Sequence, residues 1–239
     1  MELLQCTVGC HDQDSEGDAR TIWKINHINN QSNEEPYNDP FTIVELNSVI
    51  ISLPATAPGN DGIYPHFIKN LSETWVTTLL DIINDQWFHN KFPEIWKEGV
   101  AVMLPKYGKD LTSLNSYRFI TLLPVIGKVY ERLIKNRINY ITTEKKNLND
   151  FQCGFVKDCS TIENLVMFQK TALHCFQKKL IMVAVFLDLK GAFDSIVHRK
   201  ILNNLIEAKF KGRILAVIYS FLTKRNDKVK VKNTLQWTK

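Results

Sequence analysis

The run LIMVAVFL (Leu180–Leu187), followed directly by DLKGAFD (Asp188–Asp194), decides how the fold is read. Eight consecutive apolar residues, several of them β-branched, predict a strand buried on both faces. Beyond it, Val197, Ile201, Leu202, Leu205 and Ile206 recur at helical spacing and predict a helix with that face inward. Asp188 stands at the strand's end. A carboxylate fixed by a rigid strand in desolvated surroundings is well placed to hold a divalent cation. Strands also end in Asp for no such reason, and spacing alone favours that plain reading. Asp194 reads as the N-cap of the next helix.

Outward from this point the chain is mostly helical before the central strand. Thr42 with Glu45 makes a capping box ahead of Leu46, Val49, Ile50 and Leu53, and Pro54 closes that helix. The loop from Ala55 to Pro65 is rich in turn residues, and its Gly59, Asp61 and Gly62 are assigned to turn chemistry. Helical stripes follow at Phe67, Ile68 and Leu71, and at Trp75, Leu79, Ile82 and Ile83. Val100–Leu104 predicts a strand. Ile126, Val129, Leu133, Ile134, Ile138 and Ile141 line one side of a further helix. A second capping box, Ser160 with Glu163, opens a helix whose inward face is expected to carry Ile162, Leu165, Val166, Leu173 and Phe176. Another apolar helix is expected over about 214–222, and Val229 and Val231 alternate with lysines like a half-exposed strand. The fold class is α+β.

Composition narrows the function classes. The chain has 239 residues, 44% apolar and 23% charged, with 10 Gly and 8 Pro, which excludes a disordered or fibrous protein. No run reaches the roughly 18 apolar residues of a membrane span, and the N-terminus lacks the basic start of a secretory signal. Five cysteines form no even framework, so a reducing, intracellular setting (nucleus or cytoplasm) is expected. Residues 1–40 hold eight acids and only Arg20 and Lys24 as bases, a net of −6. With +5 for the whole chain, the remainder carries +11. We read 1–40 as a flexible acidic arm, 41–178 as a helical region and 179–239 as the part built on the central strand. A basic body is compatible with a phosphate-rich partner.

Lys106 and Arg118 bracket the segment PKYGKDLTSLNSYR (Pro105–Arg118). A mobile point charge and a planar fork together suit a triphosphate, although a solvated basic loop is the commoner meaning of such a pair. APGNDGI (Ala57–Ile63) lacks the spacing of a nucleotide-binding glycine loop. Cys6, Cys10 and His11 have no second pair to complete a zinc site, and Cys153 with Cys159 is no better. Trp75, Trp87 and Trp96 are expected in the core.

Taken in order, four blocks resemble one family: APGNDGI; the stretch from Phe92 to Ile138 that contains VAVMLPKYGKDLTSLNSYRFITLLP; FQCGFVKDCSTIENL (Phe151–Leu165); and VAVFLDLKGAFDSIVHRKIL (Val183–Leu202). They resemble the reverse transcriptase domain of non-LTR (LINE-type, jockey-like) retrotransposons, over about residues 40–239. The resemblance implies a right-hand polymerase fold, with 41–178 as fingers and 179–239 as the first part of the palm. It implies that Asp188 is the first palm aspartate, catalytic and metal-binding, and that the Leu189 backbone carbonyl sits beside the same Mg²⁺ ions. Phe193 would be the aromatic gate beneath the incoming sugar, and Lys106 and Arg118 the finger residues that clamp a deoxynucleoside triphosphate. An RNA template and a DNA primer are the implied partners, with no membrane.

Several positions depart from the family pattern. Thr56 stands where Lys is usual, Asn60 and Phe119 where Pro is, Val156 for Arg, Asp158 for Gly, and Gly191 where Lys is common. The family's GVPQG-like segment and its Y-x-D-D turn, with two further metal-binding aspartates, do not occur before Lys239. One carboxylate is a poor cage for two Mg²⁺ ions. The expectation is therefore a truncated, partly degenerate polymerase domain that is inactive alone. A non-catalytic RNA- or DNA-binding fragment, or an inert relic, is the alternative.

Overall fold

Thr42 and Glu45 form the expected reciprocal cap. The Thr42 amide donates to Glu45 Oε2 at 2.8 Å, and the Glu45 amide donates to Thr42 Oγ1 at 3.2 Å. This starts helix α1, Ile43–Ile51, whose Leu46, Val49 and Ile50 are buried. The structure is a computed structural model that describes residues 20–21, 24–25, 35–113, 116–144, 149, 151–156, 158–189, 192, 196–225, 227–231 and 234–237. It divides into two compact units, Met1–Asn139 with Phe193–Lys239, and Tyr140–Ala192.

In the first unit, α2 (Pro65–Lys69), α3 (Glu73–Phe88) and α4 (Glu94–Lys97) follow α1. Strands β1 (Gly99–Pro105) and β2 (Tyr117–Leu122) form a hairpin ahead of α5 (Val125–Glu144). After the second unit, whose helix is α6 (Thr161–Gln177), come α7 (His198–Glu207), α8 (Arg213–Leu222), β3 (Asp227–Val231) and β4 (Thr234–Trp237). The sheet has four strands in the order β2-β1-β3-β4; β1 pairs antiparallel with β2 and parallel with β3, and β3 pairs antiparallel with β4. The architecture is a mixed helical and sheet one.

The core is aromatic at its centre. Trp87 and Tyr130 are fully buried; the Phe41 ring lies 4.9 Å from that of Trp87, and Phe92 lies 5.2 Å from Tyr130. Val129, Leu133 and Ile134 of the expected α5 stripe are buried against it, and Val125, buried in place of the half-buried Ile126, joins them. Helix α8 is almost wholly apolar, and both of its ends are satisfied by distant groups. Asn38 Oδ1 accepts the Ile214 amide at 3.2 Å, and the buried Lys97 ammonium donates to the Ser220 and Thr223 carbonyls at 2.9 and 3.0 Å. Orphan donors and acceptors at the ends of a buried helix require such partners. Arg137, 10% exposed, is the third buried anchor. It donates to both Glu45 carboxylate oxygens (2.9 and 3.1 Å) and to the Tyr37 and Pro40 carbonyls, with its guanidinium 3.9 Å above the Phe41 ring. Asn38, Tyr37 and Pro40 lie in the stretch read as an acidic arm, yet 35–40 are built into this unit. Asn38 is buried in a short 3₁₀ turn, Pro36–Asn38.

In the second unit, Ser160 and Glu163 cap α6 as expected. Its apolar face is not inward: Ile162, Leu165, Val166, Leu173 and Phe176 are all exposed. Leu180–Leu187 forms no strand, and Ile181, Val185 and Leu187 are 93, 78 and 92% exposed. The buried strand is thus corrected to an exposed segment without regular secondary structure. Strand order comes from ladder partners and covered faces rather than from β-propensity alone, and among the described residues of this unit no strand lies beside it. Helix α7 begins at His198 with Val197 at its N-cap, so it starts beyond Asp194, which itself lies outside the described residues.

Trp75 (62% exposed) and Ile82 (47%) also depart from their expected core positions, because α3 buries the face of Leu79, Ile83 and Trp87. Trp96 is half-buried against Tyr130, with ring centroids 5.7 Å apart. Gly59 opens the expected turn, its carbonyl accepting the Gly62 amide at 3.2 Å, and it is also a packing position. A Cβ there would come within 2.4 Å of the Leu123 carbonyl carbon and the Pro124 nitrogen, so its lack of a side chain permits backbone-to-backbone packing. Gly62, at φ +67°, is a turn glycine as expected.

Candidate functional site

The β1–β2 hairpin positions both basic residues singled out in the sequence. Leu104 faces Arg118 across the ladder, Pro105 faces Tyr117, and the Lys106 amide donates to the Ser116 carbonyl at 2.7 Å. Residues opposite one another in an antiparallel pair share a face, and side chains alternate along each strand. Lys106 and Arg118 are therefore diagonal neighbours on one face, at the end of the ladder. Such diagonal neighbours sit about 7–8 Å apart, within reach of long side chains. Arg118 is exposed and Lys106 half-buried.

The connecting loop is held by its own bonds. Asp110 accepts from the Thr112 amide (3.0 Å) and hydroxyl (2.6 Å), and the Tyr117 hydroxyl donates to the Leu111 carbonyl at 3.0 Å. The Thr112 hydroxyl and amide hold the Asp110 carboxyl below the usual carboxylate range. Gly108 takes φ +69° in the turn. Leu104 and Ile120, each 44% exposed, lie on the same face as the two cations. The hairpin thus offers two positive groups beside an apolar surface, a combination that suits a phosphate chain carrying a sugar and base. The sequence reading missed Leu104 and Ile120. Their signal was the even-numbered alternation of Val102, Leu104 and Lys106 against Ser116, Arg118 and Ile120, which becomes legible once the register is known.

Asp188 and Leu189 belong to the second unit, where both are exposed, directly after Leu187. Phe193 lies outside the described residues. Among the described residues no group of three or more His, Cys, Asp or Glu side chains is gathered closely enough to hold a metal ion. Cys153, Cys159 and Cys175 are free thiols. No helix among the described residues is long and apolar enough to cross a membrane.

The family described as Reverse transcriptase (RNA-dependent DNA polymerase) matches residues 104–239. The chain belongs to that family. This reverse transcriptase sequence is similar to the probable RNA-directed DNA polymerase from transposon BS of Drosophila melanogaster, at 35% identity over 82% of this chain and 22% of that protein. It is likewise similar to the RNA-directed DNA polymerase from mobile element jockey of the same fly, at 35% identity over 80% of this chain and 21% of that protein. The probable polymerase from its X-element is 34% identical over 66% of this chain and 18% of that protein. These relatives place the chain with the non-LTR, LINE-type reverse transcriptases. The chain spans about a fifth of the length of the relatives it matches. Reverse transcriptases as a family work on nucleic-acid templates and nucleotides and depend on divalent metal ions.

Proposed function

We propose that these 239 residues supply the nucleotide-clamping fingers and the first palm segment of an RNA-directed DNA polymerase of a mobile element. The reaction they serve is addition of a deoxynucleotide to a DNA 3′-hydroxyl on an RNA template. The single observation that carries this reading is the placement of Lys106 and Arg118 on one face of the β1–β2 hairpin, within the segment the family matches. In that role Lys106 gives a point charge and Arg118 a bidentate fork to the triphosphate of the incoming deoxynucleotide. Holding the triphosphate in place contributes through orientation and charge rather than through covalent chemistry.

Phe193 is assigned to the space beneath the incoming sugar, where an aromatic ring disfavours a ribonucleotide. Asp188 and the Leu189 carbonyl are assigned to the first oxygens offered to the family's metal ions, with Mg²⁺ the expected ion. The described residues do not make a complete metal site. One exposed carboxylate cannot hold two hard cations that need several fixed oxygens. These 239 residues by themselves therefore bind substrates without extending a primer. Primer extension on an RNA template with Mg²⁺ or Mn²⁺ tests this: no product is expected, and template-dependent product abolished by Asp188→Ala overturns it.

A further inference from the structure

Cys153 and Cys159, which make no zinc site, are nevertheless brought together in the second unit. Both line one open pocket of about 230 Å³, with Gly154, Ser160 and Asn164, and the Cys159 side chain is hydrogen-bonded to that of Cys153. Cys159 is exposed and Cys153 half-buried. A side chain added at Gly154 would meet nothing within 4 Å, so the pocket is clear of protein on that side.

The backbone accounts for the meeting of the two thiols. Two turns follow one another: the Val156 amide donates to the Cys153 carbonyl at 3.5 Å, and the Cys159 amide donates to the Val156 carbonyl at 3.4 Å. Their third positions, Phe155 and Asp158, take φ +61° and +62°. A left-handed residue at that position belongs to a tight reversal of the chain. Asp tolerates it, whereas a bulky aromatic does so only where the surroundings impose it. The doubled reversal returns Cys159 to Cys153 six positions later. Neither cysteine lies in a helix or strand, so the short approach from hydrogen-bond contact to the roughly 2 Å of a sulfur–sulfur bond displaces no regular element. Cys159 also directly precedes Ser160, the N-cap of α6, whose amide donates to Glu163 Oε2 at 2.7 Å.

We infer that Cys153 and Cys159 are a dithiol modification site, which a low-molecular-weight disulfide closes into an intrachain disulfide that braces the entry to α6. The exposed Cys159, as its thiolate, attacks one sulfur of the small disulfide; that S–S bond breaks and one small thiolate leaves. Cys153 then loses its proton and attacks the Cys159 sulfur of the mixed disulfide, expelling the second small thiolate. The two cysteines give up two electrons and two protons, and the small disulfide becomes two thiols. Desolvation, the Cys153 contact and the Glu163 and Asp158 carboxylates hold the Cys159 thiol above its ordinary value, so the first step quickens as the medium is made alkaline. The pair belongs to the second unit and the Lys106–Arg118 hairpin to the first, and the exchange draws on neither the hairpin nor a metal ion.

Equilibration of the full chain with mixtures of reduced and oxidised glutathione at mildly alkaline pH, followed by acid quench, alkylation, trypsin digestion and mass spectrometry, tests it. Lys157 lies between the two cysteines, so digestion places them on peptides 147–157 and 158–170, with Cys175 on 171–178. The disulfide joins the first two peptides, two hydrogens lighter than their sum. This linked pair is expected to dominate in excess oxidised glutathione, to vanish with dithiothreitol and to persist in Cys175→Ser. Cys153→Ser is expected to stop at the first step, with glutathione held on peptide 158–170. Unfolding in urea should lower the equilibrium constant for closure about tenfold, because the turns that hold the thiols together are lost. Amide hydrogen exchange over 160–165 should slow in the oxidised chain and stay unchanged in oxidised Cys153→Ser. The inference is overturned if the linked pair does not form, if closure is equally favourable in urea, or if Cys175 or a second chain partners Cys159 as often as Cys153 does. Equal amide exchange in the reduced and oxidised chains overturns it as well.

Discussion

Lys106 and Arg118 sit diagonally across the end of the β1–β2 ladder, on the face that also carries Leu104 and Ile120, with the Lys106 amide bonded to the Ser116 carbonyl. They are twelve positions apart in the chain, yet the register fixes their spacing independently of the loop. The loop's role is then to close without strain, which Asp110 manages by accepting two bonds from Thr112. Asp110→Ala is expected to loosen residues 107–113 while leaving the ladder intact. Limited trypsin digestion at Lys106 and Lys109 checks this, and the variant should be nicked there sooner than the unaltered chain.

Arg137 is the residue on which the first unit depends most visibly. It joins α5 to Glu45 of α1 and to the carbonyls of 37–40. Breaking a buried pair from one side leaves its partner's charge and the bonded carbonyls unsatisfied. Arg137→Met is expected to cost about 3 kcal/mol, measured by urea unfolding.

Glu45 makes part of that stability pH-dependent. Burial raises its pKa, but the bonds from Arg137 and Thr42 prevail, so its carboxyl is held below the ordinary 4.5. A folded pKa below the unfolded one means the folded form binds fewer protons. The contribution is therefore complete above about pH 4.5 and is lost as pH falls through the depressed folded value. Urea midpoints at pH 6 and pH 3 should differ less for Glu45→Gln than for the unaltered chain.

Two glycines only three residues apart should respond to alanine for different reasons. Gly59→Ala drives a methyl group into the backbone of Leu123 and Pro124, neither of which can rotate away. Overpacking of this kind costs about 1–3 kcal/mol. Gly62→Ala meets nothing within 4 Å but must hold φ +67°, a left-handed conformation costing about 1–2 kcal/mol. Thermal unfolding of both variants measures the pair.

Much of the first unit is legible in the order of its residues. The Thr42–Glu45 cap, the β1 strand, the α5 stripe and the buried Val229 all follow from local chemistry and periodicity, and each forms as expected. Asn38 and Lys97 are not legible in that way, because each satisfies an end of α8 from more than 100 residues away and no local pattern announces that. The same holds for Arg137, whose partners come from two other segments. The Leu180–Leu187 run fails in the opposite direction: its composition is that of a buried strand, but a strand is a relation between segments, and none of the described segments pairs with it. For the candidate site, the identity of Lys106 and Arg118 comes from resemblance, whereas their shared face needs the register.

The most direct test of the account is a calorimetric titration of the chain with a deoxynucleoside triphosphate and Mg²⁺, for the unaltered protein, Lys106→Ala, Arg118→Ala and Asp188→Ala. Charge-assisted hydrogen bonds contribute about 1.5–3 kcal/mol each, so each hairpin variant should bind at least about tenfold more weakly. The corresponding nucleoside, lacking phosphates, should show no such dependence. Triphosphate binding that is unchanged by loss of both Lys106 and Arg118 would contradict the account.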